Sequence, residues 1–115
     1  MKVNSLAAAI EQGVSHNPRI RKRVLIADAQ IGHVSNFAQA VFPPGEIACA
    51  HRHEDMTEVF FVESGEGRMV VDDEPVAITA GVCVTVDRGE VHEIQNTGSD
   101  DLVITYFGIR TPPPE

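Results

Sequence analysis

The 115-residue sequence predicts an all-β sandwich or barrel, and three observations carry that expectation. Eight to ten short runs rich in apolar and β-branched residues cross the chain, turn-forming residues return every eight to twelve positions, and only one short stretch has helical character. The pattern alone does not choose between a sandwich and a barrel.

Taken in order, Ser5 has the chemistry of a helix N-cap before the run Leu6 to Gln12, with Gly13 just past its end. Asn17-Pro18 marks a turn, and Arg23 to Asp28 reads as a first strand. Gly32 separates it from a second strand, Asn36 to Phe42. The rigid Pro43-Pro44-Gly45 turn delivers the chain into Ile47 to His53, and Glu58 to Glu63 follows with Phe60 and Val62 on the face of Glu58. Ser64 to Gly67 turns it back into Arg68 to Val71, and Asp72 to Pro75 reverses it again into Val76 to Thr79. Strands Val82 to Val86, His92 to Asn96 and Leu102 to Phe107 complete the set. The proline-rich end from Thr111 to Glu115 has nothing apolar to pack and is expected to be extended or disordered. Residues 1–35 form an N-terminal helix and edge strands, 36–109 the barrel and 110–115 a tail, all within one domain. There is no internal repeat.

Gly45 to Gly65 holds the densest chemistry. His51 and His53 are one residue apart, so a strand would place both on one face about 7 Å apart. A turn through Glu54 to Thr57 would return Glu58 alongside them on a neighbouring strand. Two imidazoles and a carboxylate converging on one point have the chemistry of a divalent-metal site. His92, opening a strand after the turn around Asp87, Arg88 and Gly89, supplies a fourth donor.

The spacing of Gly45, His51, His53, Glu58 and Gly65, followed by Gly81, Gly89, His92 and Asn96, resembles the two-part signature of the cupin superfamily. One position departs: Asp87 stands where the pattern usually has proline, a mild change because aspartate also starts turns well. The resemblance, to a small single-domain cupin over about Phe37 to Phe107, implies a double-stranded β-helix or jelly roll with a metal inside one mouth. It also implies a homodimer formed through an N-terminal edge strand, and metal ligation by His51, His53, Glu58 and His92. Three neutral imidazoles and one carboxylate leave a divalent ion with a net charge of about +1 and, in octahedral geometry, two adjacent open positions. Iron, manganese, nickel, cobalt and zinc all suit this donor set.

Around the four donors, Phe60 is expected to line the pocket, and Tyr106 either supplies a proton or hydrogen bond or is simply a packed aromatic. Gln39 either orients a substrate or points outward, and Arg68 either reaches the mouth to bind an anion or is a solvated strand residue. His16 and His33 fall outside the motif and read as surface histidines. Cys49 and Cys83 read as buried small hydrophobes, with Cys49 sharing the parity of His51.

The formal net charge of −8 argues against nucleic acid or an anionic membrane as the main partner. Positive charge concentrates at Arg19, Arg21, Lys22 and Arg23, which read as a charged edge strand resisting sheet-to-sheet association, or else as an anion site. No apolar run approaches membrane-span length and the opening residues do not resemble a signal peptide, so a cytoplasmic location is expected. Metal-dependent chemistry on a small oxygenated molecule leads the functional expectations, dioxygenase first and isomerase or decarboxylase next. The alternative is a non-catalytic binding module with a sensing or storage role.

Overall fold

The computed structural model describes residues 1–111 and contains ten β-strands there. They are β1 (Glu11–Val14), β2 (Asn17–Ile26), β3 (Val34–Phe42), β4 (Ile47–His51), β5 (Met56–Ser64), β6 (Glu66–Val71), β7 (Glu74–Thr79), β8 (Cys83–Val86), β9 (His92–Asn96) and β10 (Leu102–Arg110). A six-stranded sheet in the order β1-β2-β3-β10-β5-β8 faces a four-stranded sheet in the order β4-β9-β6-β7, and every pairing is antiparallel. This is the jelly roll that the cupin resemblance implies. No helix among the described residues is long and apolar enough to cross a membrane. The expectation of a disordered tail concerns residues 112–115 for the most part, which lie outside the described residues.

Alternation builds the core. Ile20 on β2, Val62 on β5, Met69 on β6, Ile78 on β7, and Leu102 and Ile104 on β10 are all essentially inaccessible and fill the space between the sheets. Each such side chain contributes roughly 1.5–3 kcal/mol of burial. Asn96 staples one sheet to the other: its side-chain amide donates to the carbonyls of Phe42 and Asp100, both at 2.8 Å, and its Oδ1 accepts from the Gly98 amide. The motif asparagine is therefore structural. Gly65 has φ +87°, and a Cβ there would run into the backbone of Asp101 and Leu102, so the β5–β6 turn admits only glycine.

The N-terminal region differs from expectation. Ser5 does act as a cap, its Oγ accepting from the Ala8 amide at 3.1 Å, but only a single turn forms and no helix follows. So short a helix cannot sustain itself. Pairing with β2 wins instead: Gln12 and Gly13 take up register with Lys22 and Arg21. The turn expected at Asn17-Pro18 falls earlier, at Ser15-His16, where His16 has φ 68°. The basic strand β2 is consequently not an edge. It is covered by β1, whose Glu11 accepts from Arg21 at 2.9 Å and Arg23 at 3.1 Å.

Candidate metal centre

His51 faces the cavity, while itself remaining exposed, because β4 carries a bulge. Ala48 pairs with the buried Ile94, while His51, three residues on, pairs with His92, only two residues back along β9. The extra residue restores inward parity to His51, which strict alternation from Ala48 would have turned outward. Cys49 lies in this irregular segment; it lines the cavity but is exposed, and Cys83 is exposed as well, so neither is the buried hydrophobe expected.

Glu58 arrives from the opposite sheet. It sits on β5 of the larger sheet, paired with β10 and β8, whereas the sequence suggested a strand adjoining β4. Strand β5 alternates strictly, with Met56, Glu58, Phe60 and Val62 inward, so one carboxylate is placed in an otherwise apolar row. His53 follows β4 in the connection to β5, and its carbonyl accepts from the Gly89 amide at 2.7 Å, tying the two halves of the motif together. Asp87 in that second half uses a group that proline lacks: its amide donates to Glu90 Oε1 at 2.7 Å.

One ligand atom from each of His51, His53, Glu58 and His92 lies within 4.8 Å of the others. Glu58 Oε1 is 3.3 Å from Nε2 of both His53 and His92. Nδ1 of His51 lies 2.9 Å from the Cys49 carbonyl and Nδ1 of His92 3.3 Å from that of Glu90. With Nδ1–H as donor, the Nε2 lone pair of each ring is left for a Lewis acid. Glu58 Oε1 and His92 Nε2 are buried without any hydrogen-bond partner. Orphaned buried atoms are rare in folded proteins, and a shared cation would satisfy both. Burial pushes the His53 imidazole below its ordinary pKa, against the pull of Glu58 and with some help from His51 and His92. The ring is thus held neutral, as a metal ligand must be. These four residues form a group that fits a divalent ion.

The group opens onto a cavity of about 570 Å³. Phe60 and Tyr106 line it, stacked with ring centroids 5.8 Å apart. Burial, reinforced by the Glu58 charge, pushes the Tyr106 phenol up to about 12. Gln39 and Arg68 take the other alternative. Gln39 points away from the buried Ala38 and Ala40 and donates to Glu63 at 2.8 Å, and Arg68 donates to Gln95 at 3.2 Å; neither lines the cavity. His33 is exposed as expected, while His16, also exposed, borders the cavity from the β1–β2 turn. Sequence reasoning missed Ser35, Asn36, Lys22 and Arg110 as lining residues. For Lys22 the signal was available: Ile20-x-Lys22-x-Val24 is an inward alternation, hidden by starting the strand at Arg23. At Gly108, opposite Glu58 on β10, an added Cβ would collide with Ser35 Oγ and Met56 Sδ, so the absent side chain leaves room for these two side chains.

The cupin domain family matches residues 38–108, and the chain belongs to that family. It is 43% identical over 67 residues to an oxalate-binding protein of Thermotoga maritima, a match that covers 57% of this chain. The chain spans only about half of that relative, 54% of its length. A crystal structure described as a predicted oxalate decarboxylase from Thermotoga maritima superposes with a TM-score of 0.88 at 27% identity, covering 95% of this chain and 99% of that one. The Cnp3 cupin domain of Schizosaccharomyces pombe shares the fold at a TM-score of 0.78 and 15% identity, over 92% of this chain and 72% of that one.

Proposed function

We propose that the chain is a metal-dependent cupin acting on a small oxygenated organic molecule at the His51, His53, Glu58 and His92 centre. The observation that carries this reading is the pair of orphaned buried atoms, Glu58 Oε1 and His92 Nε2, aimed at one point at the base of a cavity. A bound divalent ion would polarise substrate oxygens and offer adjacent positions for a chelating ligand or dioxygen.

The residues around it have separable tasks. His51, His53 and His92 present neutral donors, and Glu58 supplies the one negative charge. Tyr106, its hydroxyl without a protein partner among the described residues and its phenol held protonated, donates a hydrogen bond to a substrate oxygen. Phe60, Ile94 and Ile104 exclude water from the substrate body. Oxygen-dependent cleavage is the first reaction class, because Tyr106, the phenol that lines the cavity near the donors, resists deprotonation and makes a poor general base. Decarboxylation or isomerisation of a small acid comes next, supported by the description of the Thermotoga structure. A second reading, binding of a small acid without turnover, is favoured by the name of the oxalate-binding relative.

Oxygen uptake and carbon dioxide release, followed for the metal-reconstituted protein over oxalate, catechols, thiols and diketones, test this proposal. Turnover of one class, lost in His51→Ala, is the expected result. Saturable binding with no turnover across the panel would favour the second reading, and neither binding nor turnover would overturn both.

A further inference from the structure

Lys22 occupies a position that a structural lysine does not need. Its neighbours in the basic run are committed elsewhere: Arg21 and Arg23 pair with Glu11, and Arg19 lies 3.7 Å from Glu46. Lys22 has the opposite parity, between Ile20, which is fully buried, and Val24, in register with the inward-facing Ala40 of β3. It is half-buried, lines the cavity, and has no ion-pair or hydrogen-bond partner among the described residues. Its row across the sheet runs from the exposed Gln12 of β1 through Lys22 to Ala40 and Ile104, so toward the middle of the sheet its neighbours are apolar. Leaving a cation unpaired at such a place is unfavourable unless an anion meets it.

The polar lining of the cavity includes Ser35, Asn36 and Arg110, the last already paired with Asp28 and Asp55, and Lys22 is set apart from the His/Glu group by an apolar wall that includes Ala40, Phe42 and Ile104. At about 570 Å³ the cavity falls within the range of sites that enclose whole drug-sized ligands, and far exceeds a two-carbon diacid. We propose that Lys22 binds the distal carboxylate of the substrate, and that the substrate is an acid larger than oxalate with an oxygen-chelating end, an apolar body and an anionic end. This deepens the proposed function and rests on the metal reading given there.

The test uses the cobalt(II)-loaded full chain without oxygen, titrated with catechol and with 3,4-dihydroxybenzoate, which share the chelating end and differ in the distal carboxylate. The visible bands of cobalt report chelation independently of turnover. The wild type is expected to bind the benzoate about tenfold more tightly than catechol, the contrast one charge-assisted pair supplies. Lys22→Met, which keeps the aliphatic stem, is expected to abolish the contrast while leaving catechol binding unchanged, and Lys22→Arg to retain most of it. Equal binding of the two diols in the wild type, or a contrast that survives in Lys22→Met, would overturn the assignment of Lys22 and leave the metal reading standing. If the protein takes up no cobalt, the metal reading fails; if cobalt is held but neither diol alters its bands, the assignment of Lys22 is overturned and the metal reading stands.

Discussion

Replacing Glu58 with glutamine separates a metal ligand from a structural ion-pair partner, because the two roles predict opposite effects on the metal-free protein. The residue is 8% exposed, and Oε1 has no hydrogen-bond partner. A buried polar group left unsatisfied costs about 1–3 kcal/mol, and more when charged. Glutamine preserves the shape, removes the charge, and can donate its amide hydrogens to the Nε2 lone pairs 3.3 Å away. The metal-free variant should therefore gain about 1–2 kcal/mol. With an unfolding entropy of about 2.1 cal/mol/K per residue over 115 residues, that is a rise in Tm of about 4–8 °C. The loaded protein should move the other way. Losing the one anionic donor is expected to weaken binding by at least about 100-fold, removing about 2.7 kcal/mol of linkage stabilisation in excess metal, or about 11 °C. Thermal melts at pH 8, with chelator and with excess manganese or cobalt, read both numbers. A Glu58→Gln protein that melts lower in chelator, and by the same amount in metal, would show that Glu58 is held for its contacts to His53 and His92, and the reasoning would be refuted.

Three further outcomes follow from the same geometry. Tyr106 is the only tyrosine, so absorbance at high pH should show a midpoint near 12 in the folded protein and near 10 in denaturant. Since the folded state holds the proton more tightly, stability should fall as pH rises from about 10 to 12, by up to about 3 kcal/mol; a folded midpoint near 10 would contradict the buried placement. Arg110 accounts for two half-exposed ion pairs, to Asp28 at 2.7 Å and Asp55 at 2.8 Å, the latter in the His53–Glu58 connection. Arg110→Ala should cost no more than about 1 kcal/mol in chelator melts yet weaken metal retention about tenfold in a competition with chelator, and unaltered retention would remove its positioning role. Gly108→Ala should lower Tm by about 4 °C or more and reduce metal uptake, because its Cβ displaces Ser35 or Met56 beside Glu58; a variant that melts and binds like the wild type would show that the cleft is looser than described.

Much of this was legible in the residues. Alternation in Glu58 to Glu63 and in His92 to Asn96 fixed which side chains meet the core, although β5 begins earlier, at Met56 in the expected turn, and the fixed spacing of His51, His53, Glu58 and His92 marked the donors before any fold was known. Three things were not legible. A bulge cannot be read from alternation, and it is a bulge between Ala48 and His51 that brings His51 opposite His92 at the cavity and leaves Cys49 exposed in the irregular segment. Sheet membership is a long-range property: Glu58 follows His53 closely in the chain but reaches it from the facing sheet. At Gln39 and Arg68 both faces of a strand were plausible, and outward partners Glu63 and Gln95 decided them. The N-terminal run was misjudged for a related reason, since a good cap at Ser5 is a local signal and strand pairing with β2 is not. That same error concealed the inward parity of Lys22.

The central claim is that His51, His53, Glu58 and His92 hold a divalent ion. Elemental analysis of the protein purified without added metal, beside His51→Ala and His92→Ala, tests it most directly. The account predicts about one equivalent of a divalent transition metal in the wild type, at least after titration, and its loss from both variants. A wild type that neither carries nor takes up metal, or variants that retain a full equivalent, would contradict it.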